Sequence, residues 1–306
     1  MRQRMLASIV AVGLAMGAAI AAPAHAAEIN LKGAGSSFAN KFITSCAVKN
    51  TTYSVSYNPA GSGTGRTAFA NGTIAFGASD AANSLTLSGS RAGGKYTYIP
   101  VVGGPIAILV NVPGVKTGTL RLDATTLAKI LAGKITKWND AAIKALQPAA
   151  VKAKLAAKPI RVVYRSANSG TSENLTNYLR QNAPSIWTRA KNGTIAAGNP
   201  AGRMPAGSIG AANSQALVSS VKSMSYTLGY ADLSDTVDAA GKPTVAVAQL
   251  KNANGEWVTP SSTSAAKFLA NFTGRQFFNA NTGAVNLNYT VKIAGAYQLS
   301  LLTYAI

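Results

Sequence analysis

The sequence is short of the residues that most catalysis and cross-linking use. Its 306 residues include one cysteine, one histidine and nine acidic side chains, against 29 lysines and arginines. A single cysteine, Cys46, excludes an intramolecular disulfide and a thiolate metal cluster. Charged residues make up only 12% and hydrophobic residues 47%, which excludes a disordered polyelectrolyte and suits a packed core.

The only histidine, His25, falls in an N-terminal segment that reads as a signal peptide. Arg2 and Arg4 form its positive end, Leu6 to Ile20 its apolar stretch, and Ala24-His25-Ala26 a small-x-small cleavage site. Cleavage after Ala26 is expected to release an exported chain, periplasmic or secreted, with a net charge of about +18 and no histidine. That excludes Ser-His-Asp and Cys-His nucleophile systems and histidine-ligated zinc. No catalytic residue, metal or cofactor is assigned, and a binding protein rather than an enzyme is expected. Cys46 is expected to be a small buried hydrophobe beside Ala47 and Val48, the alternative being intermolecular pairing.

The positive balance suits acidic partners. Between Lys129 and Arg165 stand nine basic residues and one acid, Asp140, but they are scattered and carry no aromatic stacking platform. A solvated face is expected there, with no nucleic acid as partner. A secreted surface protein binding polyanions is one alternative function, and a phosphate-ester hydrolase a weaker one.

Periodicity points to strands alternating with modest helices. Tyr53 to Tyr57 and Thr73 to Phe76 alternate as strands, whereas Ile106 to Val110 and Ile160 to Tyr164 read as strands covered on both faces. Asp123 is placed to cap a helix through Leu127, Ile130 and Leu131 that stops at Gly133. Leu175, Tyr178 and Leu179 have helical spacing, and Asn213 to Met224 reads as a helix leading into a strand from Thr227 to Ala231. The class is α/β with partly parallel sheets.

Four glycine- and hydroxyl-rich loops stand out: Gly33 to Ser37, Gly61 to Gly65, Gly77 to Asp80, and Arg165 to Thr171. Three lie where a strand passes into a helix, whose free N–H groups and partial positive charge favour an anion. Arg165 adds a forked, charge-assisted donor. No Walker Gly-Lys-Ser/Thr occurs, and Gly61-x-Gly-x-Gly lacks the spacing of a dinucleotide site. Asp80 has the wrong sign for an anion. It either caps a helix ahead of Ala81 and Ala82 or accepts the proton of a protonated oxyanion, which would favour phosphate over sulfate.

In this order, the four loops resemble the phosphate-binding protein of the bacterial high-affinity phosphate ABC transporter, including its DING-type relatives. Gly103 to Asn111, Leu127 to Asp140 and Leu228 to Ala231 support the resemblance, with a weaker echo at Ile293 to Tyr304. It implies a two-lobed, type II periplasmic-binding-protein fold with phosphate in the cleft. By motif position, Ser37, the Phe38 amide and Ser62 would donate from the first lobe, and Asp80 would accept the phosphate proton. Arg165, Ser169, Gly170 and Thr171 would donate from the second. That family often has an acid two residues after the arginine, where it holds that side chain. Here the position is Ala167, followed by Asn168, which leaves Arg165 less neutralised and less fixed.

The implied organisation is a signal peptide over 1–26, a first lobe over 27–112, a second over 113–235, and a return to the first over 236–306, shorter than in many relatives. The expected function is capture of inorganic phosphate by a monomer and its delivery to the membrane permease of an ABC-type importer.

Overall fold

The computed structural model describes residues 29–49 and 52–306. The expected signal peptide lies outside them. Five strands and three helices come first: β1 (Ile29–Gly35), α1 (Ala39–Val48), β2 (Tyr53–Asn58), α2 (Ser62–Ala70), β3 (Phe76–Ser79), β4 (Ile99–Asn111), β5 (Arg121–Leu122) and α3 (Ala124–Leu131). The middle of the chain forms α4 (Ala141–Ala145), α5 (Ala149–Lys152), β6 (Arg161–Arg165), α6 (Gly170–Asn182), α7 (Ile195–Gly198), β7 (Ile209–Ala211), α8 (Ser214–Ser223) and β8 (Thr227–Asp232). β9 (Ala246–Val247), β10 (Gln249–Lys251), β11 (Trp257–Val258), α9 (Ser262–Leu269) and β12 (Ser300–Ala305) complete it.

Among the described residues, one nine-stranded sheet runs β2-β1-β3-β12-β4-β8-β6-β7, with β9 also on β4. Pairing is parallel for β1 with β2 and β3, and for β6 with β7 and β8, as right-handed strand–helix–strand units require. β4 joins the two parallel groups. Its first half pairs antiparallel with β12 and its second half, from Ile106, with β8. Ile106 to Val110 are fully buried, so the continuous apolar run is a strand covered on both faces. Within the segment 246–258, β9 pairs with the second half of β4, and β10 with β5 and β11.

The caps explain the helix starts. Asp123 Oδ1 accepts from the Thr126 amide at 2.7 Å, Asn213 Oδ1 from Ala216 at 2.9 Å, and Ser169 Oγ from Ser172 at 3.4 Å. α3 stops just ahead of Gly133, whose φ of 73° ends the turn. The scattered lysines 134, 137, 152, 154 and 158 are exposed, whereas Arg165 of the same stretch is buried.

Three expectations need correction. The strand read at Thr73 to Phe76 runs Phe76–Ser79, because pairing starts at Gly33 with Phe76 and β1 sets the register. Cys46 is exposed, since α1 buries only Ala39. Asp80 caps no helix, because irregular chain follows it as far as the short turn at Gly89.

Candidate functional site

The four loops lie at the C-terminal ends of β1, β2, β3 and β6. The first three strands are mutually parallel, whereas β6, reached through β12, β4 and β8, runs opposite to them and brings the fourth loop to meet the others. Two glycines let them meet. Gly61 has φ 102°, and a Cβ there would stand 3.2 Å from Arg165 Nη2 and Asn168 O. At Gly170 a Cβ would lie 2.6 Å from both Asp80 Cβ and Ser62 Oγ. Any larger residue at 170 would therefore hold the fourth loop away from the second and third.

Asp80 is buried at this junction. Its Oδ1 accepts from Ser36 and Thr303 at 2.5 Å each, and its Oδ2 from Ser62 at 3.2 Å. The Ser62 hydroxyl oxygen also accepts the Asp80 amide at 3.1 Å. Burial pushes the carboxyl above its usual range, while these three donors and the Arg165 charge oppose the shift. Hydroxyls alone hold it, and Oδ2 retains room for a further donor.

Arg165, at the end of β6, is 1% exposed. Its Nη1 donates to Ser214 Oγ at 3.2 Å and, more weakly, to Ser37 Oγ at 3.4 Å. Its Nε and Nη2 are buried without a partner. No carboxylate comes within ion-pair distance of it among the described residues, where the one ion pair is Lys191 with Glu173 at 3.2 Å. A buried guanidinium with two unmet donors is costly unless an anion completes it. The Tyr230 hydroxyl accepts the Arg165 backbone N–H at 3.1 Å and shares a 2.6 Å bond with Ser172 Oγ, tying the strand end to α6.

The remaining expected residues surround these two. Ser37 Oγ lies 3.0 Å from Ser214 Oγ, and Phe38 stands at the N-cap of α1 with its ring against Gly104. Gly170 and Thr171 open α6, where the first amides lack intrahelical partners. The hydroxyls of Ser169 and Thr171 turn inward, to the Ser172 amide and to Asp232. The eight expected residues thus lie around Arg165 and Asp80, although all four of their hydroxyls, on Ser37, Ser62, Ser169 and Thr171, are engaged within the protein.

Sequence reasoning missed Ser36, Ser214, Asp232 and Thr303. Asp232 ends the fully buried β8, and it accepts from Thr171 Oγ1 and from Ser214 Oγ, each at 3.3 Å. Its signal was available: an acid directly after an apolar run, in a chain with only nine acids. Ser214 follows the cap Asn213. Thr303 arrives on β12, nothing in whose local sequence announces a site.

The chain around the first three loops already touches the fourth loop and α6. The Asn174 side chain donates to the Asp80 carbonyl at 2.7 Å, Asn83 to Glu173 Oε2 at 3.0 Å, and the Gly63 amide to Asn168 O at 3.3 Å. A polar cavity of about 440 Å³ adjoins Asp80 and is lined by Asn83, Glu173, Asn174, Lys191 and Tyr289. Arg165 is not among its walls, so the guanidinium is shut off from it.

The fold is a mixed α/β sheet whose loops close over a buried guanidinium with no ion-pair partner among the described residues. The family model described as PBP superfamily domain matches residues 21–306, and the chain belongs to that family. It is 31% identical over 247 residues to the phosphate-binding protein PstS of Xylella fastidiosa, covering 80% of this chain and 63% of that one. The chain thus spans less than two thirds of that relative. In fold it is similar to a phosphate-binding protein from Stenotrophomonas maltophilia, with TM-score 0.66, 22% identity, and 91% and 78% of the two chains covered. It is likewise similar to the periplasmic phosphate-binding protein PfluDING bound with phosphate, with TM-score 0.68, 23% identity and coverage of 91% and 79%. The resemblance read from the four loops points to these same proteins.

Proposed function

We propose that this protein captures inorganic phosphate at Arg165 and hands it to the membrane permease of an ABC-type phosphate importer. The observation that carries the reading is the Arg165 side chain, buried with Nε and Nη2 unpartnered amid hydroxyl loops and opposite a carboxyl with room for a donor. A guanidinium edge suits a tetrahedral oxyanion. The amides of Phe38, Gly170 and Thr171 supply neutral donors, and small hydroxyl rotations bring in those of Ser37, Ser62 and Ser169.

Asp80 selects the ligand. Phosphate keeps a proton near neutral pH and donates it to Oδ2, whereas fully ionised sulfate meets a buried carboxylate with nothing to offer. The relatives' names support the same ligand. Residues 27–112 and 236–306 form one lobe and 113–235 the other, with β10 pairing across to β5 of the second. Phosphate stabilises closure by joining loops from both. The chain acts as an exported monomer, processed after Ala26. Among the described residues, no helix is long and apolar enough to cross a membrane.

Calorimetric titration of phosphate-stripped protein tests this reading. Saturable one-to-one binding of phosphate with sulfate silent is the expected result. Heat from neither anion, with salt-sensitive retention on heparin, would replace it with polyanion binding.

A further inference from the structure

Two buried carboxyls stand around one guanidinium. Asp80 and Asp232 both belong to the Arg165 site, and neither forms an ion pair. A phosphate dianion entering beside them would leave the buried cluster with three net negative charges. Asp80 has a task that needs its charge, as the acceptor of the ligand's proton. Asp232 has no such task, because it is 0% exposed and reaches the site only through hydroxyls.

The hydroxyl hydrogens give Asp232 its leverage. Ser214 has one hydrogen to donate. Its oxygen accepts from Arg165 Nη1 at 3.2 Å, lies 3.0 Å from Ser37 Oγ, and sits 3.3 Å from Asp232 Oδ2. An ionised Asp232 draws the hydrogens of Ser214 and Thr171 toward itself, so Ser214 offers only an acceptor to the Arg165 side. Once Oδ2 is protonated it donates to Ser214 Oγ, and the Ser214 hydrogen swings toward Ser37 and the anion. Building on the phosphate reading, we propose that Asp232 takes up a proton from solvent as phosphate binds, making capture proton-coupled and setting the orientation of the Ser214 hydroxyl. The proton ends on Oδ2 and no other covalent bond changes.

The surroundings favour that protonation. Burial first, then the charges of Asp80 and Asp235, push Asp232 well above the ordinary carboxylate range, against Arg165 and the Thr171 hydrogen bond. Asp235, in the turn after β8, is itself raised to about 6 by burial, against the nearby Lys41 of α1. Bringing in a further anion raises Asp232 again, and a carboxyl whose value rises on binding takes up protons between its free and bound values.

The experiment is phosphate titration of the stripped protein from about pH 5 to about pH 9, in phosphate-free buffers of low and high ionisation enthalpy. The buffer dependence of the heat counts the protons taken up. Asp232→Asn, whose amide donates to Ser214 as the protonated acid does, is the paired variant. Wild type should take up close to one proton more than the variant at the maximum, and its affinity should fall with pH more steeply, by up to about tenfold per unit. Equal proton counts and parallel pH profiles overturn the proposal. So does affinity weakened by the same factor at every pH, which marks Asp232 as merely structural. If Asp232→Asn does not fold, wild type alone decides: uptake matching only the ionisation of phosphate at every pH overturns the proposal. Absence of phosphate binding refutes the phosphate reading itself, and this proposal with it.

Discussion

Replacing Arg165 by methionine separates binding from stability. The side chain is buried, two of its nitrogens have no partner, and no carboxylate lies within ion-pair distance among the described residues. Each charge-assisted bond to a ligand contributes about 1.5–3 kcal/mol, so losing two costs about 3–6 kcal/mol, or on the order of 10²- to 10⁴-fold in Kd. In the ligand-free protein the ledger reverses. Removing an uncompensated buried charge relieves desolvation, and a methionine of similar length fills most of the space. The loss of the bonds to Ser214 and Ser37 offsets part of this gain. Asp80 and Asp232 then lose the positive charge that holds them down, and both protonate more readily. The ligand-free variant should therefore melt no lower than wild type near pH 6, while phosphate no longer raises its Tm. Calorimetry and thermal unfolding with and without phosphate read both effects. An unchanged Kd, or a ligand-free Tm several degrees below wild type, would refute the reasoning.

Asp80→Asn should narrow the preference for phosphate over sulfate, because the amide offers sulfate a donor where the carboxylate repelled it. Equal selectivity in variant and wild type would remove Asp80 from that role. Tyr230→Phe strips the acceptor from the Arg165 amide and the partner from Ser172, both buried. It should cost about 1–3 kcal/mol in denaturant unfolding, and a change below about 0.5 kcal/mol would show the clamp to be idle. Cys46, exposed on α1, should react stoichiometrically with a thiol reagent in the native protein at a rate near that of the unfolded chain. A thiol that reacts only in denaturant would contradict the exposure.

Much of the fold was legible locally. Ile106 to Val110 declared a two-sided strand by its unbroken apolar run. Asp123 and Asn213 declared helix starts because a short polar side chain can satisfy a first-turn amide from its own backbone. The four loops were visible as loops, since glycine and hydroxyl residues break both periodicities at once. Where the sequence misled, a longer-range interaction had won. The register of β3 was set by its partner β1 rather than by the alternation from Thr73 to Phe76. Cys46 faces solvent because α1 rests on the sheet by little more than Ala39.

By itself the sequence determined which chemistry was available: no histidine beyond the N-terminal segment, one thiol, few carboxylates, and a set of neutral donors with one forked cation. Tertiary structure decided which of these meet. Thr303, 223 residues from Asp80, donates to it because β12 threads between β3 and β4. Asp232 and Ser214 join Arg165 because β8 and α8 pack beside β6. Local propensity records what each residue does with its neighbours in the chain. A buried polar site is instead specified by which strands pair, and that pairing follows from burial summed over the whole sheet.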